Sequence, residues 1–399
     1  MTSSGGFSQE RLERLHDVLV SHVDRGTVPG VVALVSRRGE THVAVLGAQA
    51  LGGPPMRRDT LFRIASMSKP ITAAGAMILV EECKLRLDDP VDELLPELAN
   101  RRVLRRIDGP LDDTVPAKRP ITLRDLLTFR AGFGLILQDS RDYPIQKAMN
   151  EAGLAPGPDP ASVPPDEWMR RLGALPLLHQ PGEGWHYHTG ADVLGVLIER
   201  AAEQSFEGFL RQRIFEPLGM KDTGFFVPEG EIHRLATSYL YDAKTGKPEV
   251  HDDPRAGRWS RPPPFASGGA GLVSTADDYL AFSRMLLDKG RSKSGRVLSR
   301  PSVELMTTDQ LTPEQRAKGG VVLGEGASWG FGVGITIKRH LVAGAPGQFG
   351  WTGGKGTSGY CDPAEDLIGV VMTQRLMDSP TPPPVLADFW TAAYQAIDD

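Results

Sequence analysis

The stretch Phe62-Arg63-Ile64-Ala65-Ser66-Met67-Ser68-Lys69-Pro70 constrains this chain more than any other, because an apolar strand-like piece runs into a serine and a long apolar helix begins there. Pro70 lacks an N–H and is tolerated only near a helix start, which puts Ser66 at or just before the first turn. Ser66 and Lys69 are three residues apart and share one helix face. Unpaired N–H groups and the positive end of the helix dipole gather there and favour negative charge on a serine oxygen. Serine is a weak nucleophile until a base takes its proton, and Lys69 is within reach to help. On these residues alone an N-capping serine beside a solvated lysine stays open.

The rest of the chain narrows the choice. Its 399 residues suffice for two or three domains and a sizeable core. A net charge of −5 leaves no basic footprint, so neither a nucleic acid nor a membrane is expected as a partner. The run Arg101-Arg102-Val103-Leu104-Arg105-Arg106 reads as a solvated face. Met1-Thr2-Ser3-Ser4-Gly5-Gly6 lacks the basic flank and apolar core of a signal peptide, and no segment approaches the roughly eighteen apolar residues of a membrane span. The two cysteines, Cys83 and Cys361, are far apart and in no metal-type spacing. Together these features give the expectation of a cytoplasmic protein.

Apolar periodicity predicts a helix from Gln9 to Arg25 and a hairpin of Val31 to Ser36 with Thr41 to Leu46. From Leu85 to about Pro264 helical patches alternate with Pro- and Gly-rich turns, the clearest helices being Leu123 to Phe129, Pro165 to Leu175 and Ala191 to Ala202. Strand-like segments return at Gly332 to Lys338 and Leu367 to Thr373, and a helix over about Pro384 to Ala396 follows. The expected architecture is α/β: one domain from residues 1–84 and 265–399, a mainly helical domain from 85–264, and a site between them.

Two further stretches could carry chemistry. In Pro181-Gly182-Glu183-Gly184-Trp185-His186-Tyr187-His188-Thr189-Gly190 a tight turn presents Tyr187 near a helix start, where a cation such as Lys69 could make the phenol anionic. In Gly347-Gln348-Phe349-Gly350-Trp351-Thr352-Gly353-Gly354-Lys355-Gly356 dense glycines allow close backbone approach to a ligand, so N–H groups could line an oxyanion site. The same string faintly echoes a phosphate loop, but no hydroxyl follows Gly354-Lys355 directly and no helix pattern opens there.

Ser66-Met67-Ser68-Lys69, Tyr187-His188-Thr189 and Trp351-Thr352-Gly353 resemble, in order, the three motifs of the class C β-lactamase and penicillin-binding-protein superfamily, and most of all its family VIII carboxylesterases. Stretches around Ile121 to Thr128, Phe215 to Met220 and Gly269 to Ala276 extend the resemblance over about Val28 to Thr373. It implies a β-lactamase-like fold, an antiparallel sheet flanked by helices. Ser66 would be the acylated nucleophile, and Lys69 and Tyr187 would share the proton handling. The N–H groups of Ser66 and Gly354 would form the oxyanion hole, and Trp351, Thr352, Gly353, His188 and Thr189 would meet the substrate. Two departures stand out: Thr189 replaces the usual Asn or Ser, and Trp351 replaces the usual Lys or His.

Two other patterns compete. Gly326-Ala327-Ser328-Trp329-Gly330 fits G-x-S-x-G, but a strand-like run rather than a helix follows Ser328. His186 and His188 could be a metal pair, yet their partners would have to come from scattered histidines, so no metal or other cofactor is expected. The leading expectation is a serine hydrolase that cleaves small, short-chain carboxylic esters through an acyl-enzyme. A β-lactamase, D-amino-acid peptidase or acyltransferase on the same scaffold is the alternative, and a non-catalytic ligand-binding sensor is a third. Oligomeric state is left open.

Overall fold

A strand covered on both faces has apolar residues at odd and even positions alike, and β1 (Gly30–Arg37) is buried along its whole length. It turns through Arg38 (φ 47°) and Gly39 (φ 82°), the two positive φ values that a tight hairpin needs, into β2 (Glu40–Gly47). The remaining strands of the sheet come from the far end of the chain: β3 (Ala327–Trp329), β4 (Gly334–Thr336), β5 (Phe349–Gly353), β6 (Thr357–Asp362) and β7 (Leu367–Thr373). The order is β3-β4-β5-β6-β7-β1-β2, with antiparallel neighbours throughout and Val31 opposite Thr373. This computed structural model describes residues 5–136, 143–242 and 244–399, with the main chain only at Val321. The opening Met1 to Ser4, read above for a targeting signal, lie outside the described residues.

The two faces of β1 and β7 bury different sets of side chains. Val31, Ala33, Val35, Leu367 and Val371 pack against α1 (Gln9–Asp24) and a helix near the other end of the chain, Pro384–Gln395. Val32, Leu34, Ile368, Val370 and Met372 face the larger core, which holds α2 (Ser68–Glu81), α3 (Thr189–Ala202) and α4 (Ala276–Leu287). α2 is apolar around its whole circumference, the pattern of a helix enclosed on all sides, and it packs on α3.

Three features depart from the sequence reading. The glycine-dense string, given no element in advance, forms β5, a short turn and β6. Gly353 explains part of this: a Cβ there would stand 2.3 Å from the Ile64 carbonyl oxygen, so only a glycine strand passes this close to the residues before Ser66. α4, unforeseen, is capped by Thr275, whose hydroxyl accepts from the Asp278 N–H. Between residues 85 and 264 the helices are joined by two hairpins, Arg102–Leu104 with Thr114–Pro116 and Ser238–Tyr241 with Pro248–Asp252. Among the described residues no helix is long and apolar enough to cross a membrane, and both cysteines are free thiols.

Candidate active site

The short strand Phe62–Arg63 is anchored by pairing with Val273–Ser274, and Ala65, in the left-handed region (φ 44°), then turns the chain into the tight helical turn Ala65–Met67 that leads into α2. Ser66 stands on that turn, and Lys69 Nζ lies 3.0 Å from Ser66 Oγ. Lys69 is buried, so the solvated-lysine alternative does not hold.

The lysine nitrogen has two more partners: the Gly269 carbonyl oxygen at 2.7 Å and His188 Nδ1 at 3.2 Å. On the far side of the imidazole, His188 Nε2 lies 3.2 Å from Asp192 Oδ2, one helical turn along α3. Ser267 Oγ and the Gly269 N–H donate to Asp192 Oδ1 at 2.5 and 3.0 Å. A carboxylate is acceptor-only, so it takes the Nε2–H and leaves Nδ1 as an acceptor. Burial would raise the Asp192 carboxyl, but the bonds from His188 and Ser267 and the nearby Lys69 hold it below the ordinary carboxylate range. Burial pushes the Lys69 ammonium down to about 7, against the pull of Asp192. A neutral Lys69 can then give its two N–H bonds to Gly269 and His188, which leaves its lone pair for the Ser66 hydroxyl.

His188 holds this position with φ 88° and ψ −70°, a backbone state that costs a non-glycine residue on the order of 1–3 kcal/mol. The strain is held in place by both ring nitrogens. Next to it, Tyr187 is fixed through its main chain: the Leu135 N–H donates to the Tyr187 carbonyl at 2.8 Å. Gly134 (φ 150°) makes that contact possible, because a Cβ there would come within 2.7 Å of the same oxygen.

The Tyr187 ring lies under Lys69 Nζ, 4.5 Å from its centroid. Its phenol oxygen accepts from Trp351 Nε1 at 2.5 Å and is hydrogen-bonded to Ser66. Burial pushes the phenol up, further than the Ser66 and Trp351 bonds pull it down. Burial therefore favours the neutral phenol over the phenolate that a neighbouring cation could give, and Lys69 stands over the ring face rather than beside the oxygen. Phe129, Trp185, Trp329 and Trp351 surround the ring with centroids 5.6 to 6.0 Å away.

Ser66, Tyr187, His188, Trp351, Thr352 and Gly354 line one cavity of about 510 Å3. Two residues assigned to substrate contact are absent from that lining. Gly353 is pressed against Ile64, as described above. Thr189 is buried at the first position of α3, and its hydroxyl meets no partner among the described residues. Thr352 turns its hydroxyl to Ser358 Oγ, 3.2 Å away. The competing patterns come apart. Ser328 is buried within β3 and donates to Asp309. His186 stacks on His179, centroids 4.8 Å apart, and meets the Leu135 carbonyl, so it shares no ligand point with His188. Asp192 and Ser267 were missed. Only Asp192 left a trace, four residues after His188 on a predicted helix.

Known proteins resemble this chain over most of its length. Residues 15–387 match the family described as Beta-lactamase. Protein Rv1367c of Mycobacterium tuberculosis is 39% identical over 364 residues, covering 89% of this chain and 88% of that one. Esterase EstB of Burkholderia gladioli is 32% identical over 380 residues, covering 90% and 89%. The structure of EstCE1, described as a hydrolase with promiscuous acyltransferase activity, superposes with a TM-score of 0.82 at 26% identity and covers 97% of this chain and 99% of that one.

Proposed function

The chain belongs to the beta-lactamase family as a serine hydrolase of the family VIII esterase type, and from that premise we propose that it cleaves small, short-chain carboxylic esters through an acyl-enzyme on Ser66. The observation that carries this reading is the buried Lys69, whose nitrogen lies 3.0 Å from Ser66 Oγ with its other bonds taken by Gly269 and His188. Neutral Lys69 takes the Ser66 proton as Oγ attacks the ester carbonyl. The Ser66 and Gly354 N–H groups receive the developing oxyanion. Tyr187, neutral and hydrogen-bonded to Ser66, passes a proton to the departing alkoxide. A water then attacks the acyl-enzyme and gives a proton to the Tyr187 phenolate, while the Lys69 ammonium returns its proton to Ser66 Oγ as the carboxylic acid leaves.

Esters are favoured over β-lactams because of Trp351. Related β-lactamases carry a Lys or His there, near the drug's carboxylate, whereas the single Trp351 N–H is already given to Tyr187. Losing a charge-assisted contact costs about 1.5–3 kcal/mol, roughly tenfold to a hundredfold in recognition. Acyl transfer to an alcohol is a second reading. It is supported by a neighbouring apolar cavity of about 460 Å3 that shares Leu323, Trp351, Thr352 and Tyr360 with the first and has room for an acceptor. Specificity constants for p-nitrophenyl esters of graded length and for nitrocefin test the proposal, with added alcohols reporting transfer. A wild type that hydrolyses nitrocefin as efficiently as the short ester overturns it.

A further inference from the structure

The loop between the helices Pro144–Glu151 and Pro165–Ala174 closes one side of the cavity with Pro156, Gly157 and Pro158. Pro158 packs directly on Gly354, where a Cβ would stand 3.2 Å from the proline Cβ. One residue further along each segment, Lys355 Nζ meets Asp159 Oδ1 at 2.6 Å. Lys355 is buried, with its ammonium over the Trp259 ring, 5.4 Å from the centroid. Asp159 also faces Arg258 Nη1 at 3.1 Å and His251 Nε2 at 3.3 Å.

We infer that the Asp159–Lys355 ion pair is a strap: it fixes the Gly354 N–H relative to Ser66 and holds the proline loop down as a cavity wall. This rests on the oxyanion role given to Gly354 under Proposed function. The turn carrying Gly354 is otherwise closed by backbone bonds, Gly356 N–H to Gly353 at 3.0 Å and Met377 N–H to the Gly354 carbonyl at 2.8 Å. Neither of them touches the loop. Asp159 is 30% exposed, and a partly solvated ion pair adds little stability, so what this pair supplies is position. Lys355 and Asp159 are positioning residues, acting through Gly354 and the loop.

The test compares wild type, Asp159→Asn, Asp159→Glu and Lys355→Met by steady-state hydrolysis of p-nitrophenyl acetate and by inhibition with an alkylboronic acid, which forms a tetrahedral adduct on a nucleophilic serine. Misplacing a catalytic contact by about 1 Å can cost on the order of a hundredfold. Asp159→Asn and Lys355→Met should lower kcat about 10- to 100-fold and change KM by less than about threefold. The boronic acid's inhibition constant should rise by the same factor as kcat/KM falls. Asp159→Glu, which keeps the pair, should recover most of kcat. If Lys355→Met does not fold, the two Asp159 variants decide. A kcat within about twofold of wild type in Asp159→Asn, or a lower kcat with unchanged boronic acid affinity, overturns the strap. Wild-type turnover that survives Ser66→Ala overturns the acyl-enzyme reading itself.

Discussion

The two sides of the Tyr187 ring are built from opposite materials. On one side lies a polar floor, Lys69, His188, Asp192, Ser267 and the Gly269 peptide, linked by hydrogen bonds of 2.5 to 3.2 Å. Around the rest of the ring stands an aromatic wall of Phe129, Trp185, Trp329 and Trp351. The floor decides where protons reside: Asp192 sets the His188 tautomer, His188 occupies one Lys69 hydrogen, and the lysine lone pair is left for Ser66. The wall excludes water, and the low dielectric that lowers Lys69 also keeps Tyr187 neutral. Charge placed without the wall would be screened, and the wall without the floor has no nucleophile to activate.

The largest expected effect sets Ser66 against a serine behind the wall. Ser66→Ala should lower ester turnover roughly 10,000-fold or more, while Ser328→Ala should keep a large part of it. Initial rates on a p-nitrophenyl ester check both, and the reverse outcome in folded protein breaks the division of labour. Next come the groups on either side of the boundary. Lys69→Ala and Tyr187→Phe should each lower kcat about a hundredfold to ten-thousandfold. The double variant should be little worse than either single one, because the two groups act as a unit. Fully multiplicative losses would make one of them purely structural.

Within the floor, Asp192→Asn should cost about tenfold to a hundredfold, less than losing a principal proton-transfer group. Its pH profile carries more information than the size of the loss. Wild-type kcat/KM should fall as pH drops through about 7, where Lys69 takes up a proton and can no longer serve as base. The Asp192 carboxylate holds that value up, so Asp192→Asn should move the acid limb to lower pH. A limb that stays in place would detach Asp192 from Lys69. The smallest effect belongs to the wall: Trp351→Phe removes one N–H donor to Tyr187 and should lower kcat only about two- to tenfold. A loss matching Tyr187→Phe would place Trp351 with the floor.

The floor and the wall also differed in how far they could be read in advance. The Ser66 turn, the hairpin of β1 and β2, and the strand Leu367–Thr373 follow from local pattern: Pro70 near a helix start, a two-residue turn, and an unbroken apolar run. His188 and Asp192 sit one helical turn apart, so that link was available. The contacts of Asp192 with Ser267 and Gly269 cross about 75 residues and leave no local periodicity. Likewise β5 and β6 hide among glycines, because Gly353 serves close approach to Ile64 rather than strand propensity. The Asp159–Lys355 pair is invisible for the same reason: it joins a proline loop to a strand turn 196 residues away.

The sheet order has a consequence for how the protein is made. β1 is flanked by β2 on one side and by β7 on the other, so joining the first hairpin to the rest of the sheet needs Val31 and Thr373 together. A ribosome adds about 5–20 residues per second, so the first strands wait roughly 20 to 70 s for their partner, with the apolar edge of β1 unpaired in the meantime. Sheets that pair distant segments fold slowly for this reason. A ribosome stalled before Leu367 therefore carries a nascent chain in which the catalytic segment exists and the sheet that should support it does not.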